Sequence, residues 1–553
     1  MLQEFLARAA LWASMETLGR SAHRKLLSAA KDPRSAQESA MREIVRLCVP
    51  TGQGQRFGLA HVDGVDAFRA AVPIQTYEDI RPAIEHEIQS GALEIAPEPP
   101  LMYARTSGTT GKQKYIPVTP TTLRQSQTAQ RAMAYAPHAA LRAFSGKVLG
   151  LGGAATEERL SRNVAAGATS GLIYQTMPGI VRANYVVPAQ VFGIEDYALK
   201  YLLIARLALA QSDLSLIATA NPSTILRLLA VIDDNRQALA ADLLCGGFHA
   251  SDRLDAGVRH AIAPLLRPAP IPGQRLAAAL PIRLSTLWPN LRAVVTWLGG
   301  GCAIAAQAVR AQLPPQGQMM DAGYVASELR GTVVVDVTRG LALPMLRDVF
   351  FEFVPVNDWD AGVRETRLLH ELEYGQDYHI IVTTAAGLLR YHMNDVMRVT
   401  GRVGATPTLA FIRKGRGVTN IVGEKLSEDQ VHAAVVACLP EPPRFYVALA
   451  DTADARYFLW VEPANSTVLS TDLAASIDAK LAHLNIEYAA KRGSGRLHPL
   501  QVRVLRRDAG EAYHRHLVEH KGQREAQAKV LALQTVEEFD FNLSAFEIVD
   551  AVA

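Results

Sequence analysis

Residues 103–119 read YARTSGTTGKQKYIPVT. Two apolar, β-prone flanks enclose Thr106-Ser107-Gly108-Thr109-Thr110-Gly111-Lys112. The glycines let the main chain approach an anion closely, the hydroxyls donate to phosphate oxygens, and Lys112 and Lys114 add positive charge. This is not a Walker A loop, because Gly108 and Gly111 stand too close together and Gln113 follows the lysine where Ser or Thr is required. An ordinary Ser/Thr/Gly hairpin turn is the structural alternative.

Outward from this loop, short β-rich runs alternate with Ala- and Leu-rich helical patterns from about residue 100 to 410. KVLGLGG at 147, LSLIAT at 214, RAVVTWL at 292, GTVVVDV at 331 and YHIIVTT at 378 read as strands, and YALKYLLIARLALAQ at 197 as a helix. A second helical pattern runs from Asn221-Pro222-Ser223 to residue 244. The prolines of 261–281 read as loop. Before residue 95 the pattern is mostly helical, with Pro73 and Gly91 bracketing a helix whose first turn carries Glu78 and Asp79, where acids complement the helix dipole. The first 25 residues predict an amphipathic helix with Leu2, Phe5, Leu6, Ala9, Ala10 and Met15 on one face, and charges inside the apolar stretch argue against a signal peptide. A boundary falls at FIRKGRG, 411–417, after which helices and strands alternate in a smaller unit. The expected architecture is α/β: a large N-terminal domain of mixed β-sheets and helices over 1–412, and a small, mobile C-terminal α+β domain over 413–553.

Composition narrows the function classes. The 553 residues carry 57 basic and 54 acidic side chains, a net charge of +3, which gives no reason to invoke nucleic acid or an anionic membrane as a partner. Four scattered cysteines without a CxxC pair argue against a disulfide scaffold and a structural zinc site and suit a reducing cytoplasm. No stretch reaches the roughly 18–20 uncharged apolar residues of a membrane span.

Four further motifs carry chemistry. In WLGGGCA, 297–303, a strand ends in glycines that admit a flat ring, or simply make a tight turn. In MMDAGYVASELRGT, 319–332, Tyr324 can stack on a base, while Ser327 and Glu328 offer a hydroxyl and a carboxylate of the kind that holds Mg²⁺ beside a polyphosphate; a helix N-terminus with a solvated glutamate is the alternative. In GLLRYHMNDVMRVTGR, 387–402, Asp395 can accept from both ribose hydroxyls, or be a turn aspartate after Asn394; His392 has no spacing partner and reads as structural or supporting. In FIRKGRGVTNIVGEKLSEDQV, 411–431, Arg413 can reach a phosphate or ribose, and Gly415 and Gly417 give a hinge its freedom.

In this order and approximate spacing the motifs resemble the adenylate-forming enzymes and, with VPIQTYEDI before the loop and KYIPVT after it, their GH3 branch of acyl-acid amido synthetases of plants and bacteria, across nearly the whole chain. Gln113 departs from the usual proline of the loop. The resemblance implies the adenylate-forming fold and a two-step reaction: a carboxylic acid attacks the α-phosphate of ATP, giving acyl-AMP and pyrophosphate, and the amine of an amino acid then displaces AMP. It implies that Thr106, Ser107, Gly108, Thr109, Thr110, Gly111 and Lys112 cradle the phosphates. Gly299, Gly300 and Tyr324 line the adenine, with Ser327 beside them. Glu328 holds Mg²⁺, Asp395 the ribose, and Arg413 assists at the junction. Lys529, in REAQAKVLAL, takes the place of the small-domain lysine that stabilises the transition state, though the usual Pro-Arg continuation is replaced by Val530-Leu531; Lys521 is the reserve.

The acyl pocket is expected in ATSGLIYQTMPGIVRANYVVP, 168–188, with Tyr174, Met177 and Tyr185 facing the acid, or alternatively in the core. A thiol acceptor, making the protein an acyl-CoA ligase, is the competing function. A non-catalytic nucleotide-binding protein is the third, and intact motif residues speak against it.

Overall fold

The computed structural model describes residues 2–106, 113–299, 302–415, 418–419, 421–422, 424, 426–465, 472–493, 495–520 and 530–548. The chain divides into two compact units. The first takes Met1–Leu298, Val309–Met393 and Met397–Ala410; the second takes Gly299–Ala308, Asn394–Val396 and Phe411–Ala553.

The first unit is built on a parallel sheet and a mostly antiparallel one. Strands Lys147–Leu151, Leu214–Thr219, Ala293–Thr296 and Gln318–Asp321 lie side by side in that order, all parallel. Their apolar runs are buried, as strands covered on both faces must be. The helix Tyr197–Leu209 packs into the same core and is apolar nearly all round. Its one buried charge, Arg206, donates from Nε to the Gly247 carbonyl (2.8 Å) and from Nη2 to those of Asp242 (3.2 Å) and Arg267 (3.3 Å). A four-stranded sheet, in the order Lys114–Val118, Met102–Thr106, Ala165–Gly167, Glu158–Arg159, holds the flanks of the phosphate-loop motif. The strands Val349–Pro355 and Asp377–Thr384 pair antiparallel in a five-stranded sheet that also contains Tyr391–Val403 and Thr406–Lys414.

Every strand expected at 147, 214, 292, 331 and 378 is present. Three local expectations are corrected. The first helix, Leu2–Ser14, buries Ala7 and Leu11, with Met15 just beyond, while Leu6 is half-exposed and Ala9 exposed. The small Ala7 allows the close approach in which Asn184 Nδ2 donates to its carbonyl (2.9 Å). The pattern from 221 to 244 is two helices, Ser223–Asp234 and Arg236–Cys245, broken at Asn235, whose amide donates to the Val231 carbonyl (2.9 Å). The proline-rich 261–281 is not all loop: Pro270 opens the helix Pro270–Ala278, a position where its missing N–H costs nothing.

A buried ionic centre ties the five-stranded sheet to the helix Gly64–Ala71. Glu352, 1% exposed, accepts from Arg390 Nε (2.9 Å) and Nη2 (3.1 Å), Arg69 Nε (3.0 Å) and the Thr366 hydroxyl (2.6 Å). Nearby in sequence, burial pushes the Asp348 carboxyl up to about 6 from its usual 3.8. The folded protein therefore holds a proton that the unfolded chain has released, so stability falls as pH rises from about 4 to about 6, by at most about 3 kcal/mol. Asp348→Asn is expected to raise unfolding free energy at pH 7.5 and not at pH 4. Urea titrations at both pH values check this, and an unchanged difference between them would contradict it.

The second unit is α+β. Its sheet runs Gln501–Val504, Arg456–Glu462, Phe445–Asp451, Leu533–Thr535; the central pair is antiparallel and the outer strands join parallel. The helices Glu428–Cys438 and Leu473–Leu484 cover one face around Tyr457, Ile477 and Tyr488. Among the described residues, no helix is long and apolar enough to cross a membrane.

Candidate functional site

In the first unit the ladder between Met102–Thr106 and Lys114–Val118 has Thr106 opposite Lys114 at its open end, so both strands lead straight into the glycine-rich segment. Ser107, Gly108, Thr109, Thr110, Gly111 and Lys112 lie outside the described residues. What the structure shows is how their flanks are held. Thr76 and Asp79 form a capping box (Thr76 N to Asp79 Oδ2, 2.7 Å) that starts the helix Tyr77–Ser90, and Gly91 closes it at φ 79°. One turn apart on that helix, Tyr77 and Arg81 face the strand after the loop. Tyr115 N donates to the Tyr77 hydroxyl (2.7 Å), and Arg81 Nη1 donates to the Gln113 carbonyl (3.0 Å). Lys114 Nζ lies 5.2 Å from the centre of the Tyr77 ring. Burial pushes the Tyr77 phenol up to about 12, so it stays a neutral hydrogen-bonding group. On the strand before the loop, the Tyr103 hydroxyl donates to Glu87 Oε1 (2.8 Å), while Glu87 Oε2 accepts the N–H groups of Glu94, Ile95 and Ala96. The YEDI segment that set the resemblance is thus the brace of the loop.

Tyr324, Ser327 and Glu328 share one hairpin. Asp321 Oδ1 accepts from Gly323 N (2.6 Å) and its Oδ2 from Leu298 N (3.0 Å), fixing the approach. Tyr324 N donates to Thr332 Oγ1 (2.8 Å), and the Tyr324 carbonyl accepts from Gly331 N (2.8 Å). Val325 bridges Arg330, and Ala326 N donates to the Leu329 carbonyl (3.0 Å). Ser327 and Glu328 are therefore the two tip residues of a tight turn, not a helix start. The Tyr324 ring, 7% exposed, covers Gly331, where a Cβ would lie 2.3 Å from it. Glu328 is half-buried and, among the described residues, has no ion pair or hydrogen bond.

The expected acyl-acid residues cluster, with an added neighbour. Tyr174 meets Tyr185 (5.6 Å between ring centres, 83°) and Phe192 (5.8 Å, 85°) edge-to-face, and its hydroxyl donates to the Val187 carbonyl (2.7 Å). Burial pushes both tyrosine hydroxyls up to about 12. Met177 follows within a turn, its N–H on the Tyr174 carbonyl (3.3 Å), half-buried. The long helix Pro120–Leu141 runs past both groups: Gln127 Nε2 donates to Thr176 Oγ1 (3.2 Å), and Gln130 Oε1 accepts from Arg330 Nη2 (2.7 Å).

The second unit gathers the other expected residues. Asp395, 1% exposed, is ion-paired with Lys414 at 2.6 Å. Gly415 N donates to the Asn394 carbonyl (2.8 Å), and Arg413 Nη1 to the Lys414 carbonyl (3.3 Å). Gly299 brings its main chain close to the same strand, since a Cβ there would be 3.1 Å from the Phe411 carbonyl. Gly300, Gly417, Lys521 and Lys529 lie outside the described residues. Glu424 accepts the N–H groups of Ile421 and Val422 (both 2.8 Å) and the Tyr457 hydroxyl.

Sequence reasoning missed Lys414, Arg330 and one further group. Trp359 stacks on His392 (4.1 Å) and His379 (4.7 Å), with the Arg364 guanidinium 3.8 Å from its ring centre. Trp359, His392 and Arg364 border a cavity of ≈ 470 Å³ lined also by Ile74, Thr76 and Arg390. His392 does have a partner, but one set by strand pairing rather than by spacing along the chain.

Comparison with known proteins places this arrangement. The chain is similar to the probable indole-3-acetic acid-amido synthetase GH3.1 of Oryza sativa subsp. japonica, 24% identical over 513 residues, covering 85% of this chain and 82% of that one. It is similar to the jasmonoyl-L-amino acid synthetase JAR6 of Nicotiana attenuata, 24% identical over 440 residues, with 74% and 73% covered. Among solved structures, a GH3.15 acyl acid amido synthetase superposes with a TM-score of 0.80 at 20% identity, covering 95% of this chain and 96% of that one. A 2-hydroxyisobutyryl-CoA ligase in the postadenylation state superposes at 0.52 and 11% identity, with 88% and 92% covered, so the fold is that of the adenylate-forming enzymes. The GH3 N-terminal domain matches residues 22–315, the GH3 central domain 342–414 and the GH3 C-terminal domain 429–538. With these matches in the family's own order along most of its length, the chain belongs to the GH3 family.

Proposed function

We propose that this protein is an ATP-dependent acyl-acid amido synthetase, a ligase that forms a carbon–nitrogen bond. A carboxylate oxygen of a small acid attacks the α-phosphorus of ATP and pyrophosphate leaves. The amine of an amino acid then attacks the acyl carbon, AMP leaves with the bonding electrons, and the amine's proton passes to solvent. The family relatives named for this reaction with indole-3-acetic acid and jasmonate support the class. The observation that carries it to this chain is the Tyr324–Gly331 hairpin, which seats a ring, a hydroxyl and an uncompensated carboxylate together.

In this reading Thr106 to Lys112 hold the phosphates between braced strands, so the attacked phosphorus is placed rather than searched for. Gly299, Gly300 and Tyr324 take the adenine, with Ser327 adjacent, and Asp395 accepts from the ribose. Lys414 supplies the charge that so buried a carboxylate needs. Glu328 fits Mg²⁺: it has no cation partner among the described residues, and magnesium takes one or two carboxylates and completes its shell with phosphate oxygens. When bound, the ion neutralises charge that otherwise repels the incoming carboxylate. Arg413 and Lys529 act from the 413–553 domain, which moves between the two steps. Tyr174, Met177 and Tyr185 contact the acid. The reaction belongs in the cytoplasm, where Cys48, Cys245, Cys302 and Cys438 stay free thiols.

Acid-dependent exchange of labelled pyrophosphate into ATP, with Mg²⁺, tests the first step, and product analysis with amino acids or CoA tests the second. An amide and AMP are expected. A thioester alone would move the protein to the acyl-CoA ligases, and no exchange with any of a broad panel of acids would overturn the reading.

A further inference from the structure

Arg330 stands one residue from the hairpin tip pair and points at the long helix, not at solvent. Its Nη2 donates to Gln130 Oε1 (2.7 Å), and its Nη1 lies 3.8 Å from the Met133 sulfur. Both partners are neutral, and among the described residues no carboxylate pairs with it. The side chain is nevertheless not sealed, since Arg330 keeps an intermediate exposure. Burial lowers its pKa to about 10, with no anion nearby to oppose the shift. This is the opposite of Arg390 in the same unit, which Glu352 compensates.

A cation held this deeply without a counter-ion is costly to keep, and a fold retains such a group where a ligand supplies the missing charge. Position says which ligand. Gln130 and Gln127 lie three residues apart on one side of the long helix, the first on Arg330 and the second on Thr176, next to Met177. Arg330 therefore sits across that helix side from the segment carrying Tyr174, Met177 and Tyr185. Two residues earlier in its own hairpin is Glu328, the side chain given to the phosphate end of the site. The guanidinium is thus on the hairpin that carries Glu328 and against the helix that contacts the aromatic segment.

We propose that Arg330 binds a second carboxylate of the acid substrate, so that the preferred acids are dicarboxylic, one carboxyl being adenylated and the other held by the guanidinium. This rests on the amido synthetase reading and names its substrate class. The planar fork suits bidentate capture of a carboxylate, with Gln130 fixing its orientation.

The test is pyrophosphate exchange with matched pairs: hexanoate against hexanedioate, and phenylacetate against 4-carboxyphenylacetate. The intact protein is expected to favour the diacid of at least one pair by kcat/KM. Arg330→Met is expected to cut that preference by roughly ten- to a hundredfold, the range of a charge-assisted hydrogen bond. Arg330→Lys should keep most of the preference, and Gln130→Met should lose part of it while leaving the cation in place. Because Arg330→Met removes an uncompensated buried charge, its melting temperature should not fall. Equal losses on both members of each pair would mean that Arg330 serves the reacting carboxylate or the scaffold, and would overturn the proposal. So would an intact protein that exchanges only with the monoacids, an outcome that leaves the synthetase reading standing. Exchange with no acid at all would instead remove the synthetase reading, and this proposal with it.

Discussion

Glu352→Ala is expected to destabilise the protein by about 3–5 kcal/mol, the range for removing one partner of a buried ion pair. Glu352 is fully enclosed on the strand Val349–Pro355, and its two oxygens accept four hydrogen bonds from Arg390, Arg69 and Thr366. Arg390 also donates to the carbonyls of Val72 (2.8 Å) and Arg69 (3.1 Å), so it cannot swing out to water when its anion is lost. The cost is that of a stranded guanidinium more than of a lost attraction. It follows that Glu352→Gln, which keeps shape and one acceptor oxygen, should lose less than alanine. The paired variant Glu352→Met with Arg390→Met should recover much of the loss, because the uncompensated charge is gone. Urea unfolding with a shared slope reads all three. A loss under about 1 kcal/mol for Glu352→Ala would show that water reaches Arg390 and that the centre is not sealed.

Glu328→Ala is expected to lower kcat for pyrophosphate exchange by about 100- to 1000-fold, the scale for removing one preorganised electrostatic contact at a reacting centre. Here stability and activity should separate. Glu328 sits at a turn tip held by the backbone bond from Ala326 N to the Leu329 carbonyl, and its side chain makes no hydrogen bond among the described residues. Its removal should change unfolding free energy by no more than about 0.5 kcal/mol. Glu328→Asp, which retracts the carboxylate by one methylene, should fall between and need more Mg²⁺ for half-maximal rate. Wild-type exchange in Glu328→Ala would take the carboxylate out of the site.

What a linear reading can see depends on how local its signal is. Strands such as Leu214–Thr219 and Ala293–Thr296 were legible because an apolar run bounded by turn residues is a local signal, and burial on both faces leaves no alternation to confuse it. Glu328 was singled out as a candidate magnesium ligand with its local structure left open, since a turn tip and a helix start favour the same polar residues. The prolines of 270 and 272 failed because a proline opening a helix looks the same in sequence as a proline in a loop. The face of the first helix failed because its leucines suggested one stripe, while the small Ala7 decided which side could come close. Asp395 was picked out without its partner: Lys414 reaches it only through the neighbouring positions of the strands Tyr391–Val403 and Thr406–Lys414. Arg330 was not singled out at all, because an arginine gains meaning only from its surroundings, which among the described residues supply it no carboxylate partner.

The contact between Tyr324 and Gly331 bears on how this site can evolve. A methyl group at 331 cannot coexist with the ring as placed, and the ring's main chain is pinned by Thr332 Oγ1 and Gly331 N, leaving only side-chain rotation as an escape. The two positions should therefore drift as one. In a library randomised at both and selected for ATP use, survivors with any side chain at 331 should carry a small residue at 324. A single glycine would then set which aromatic residues position 324, the proposed adenine contact, can explore.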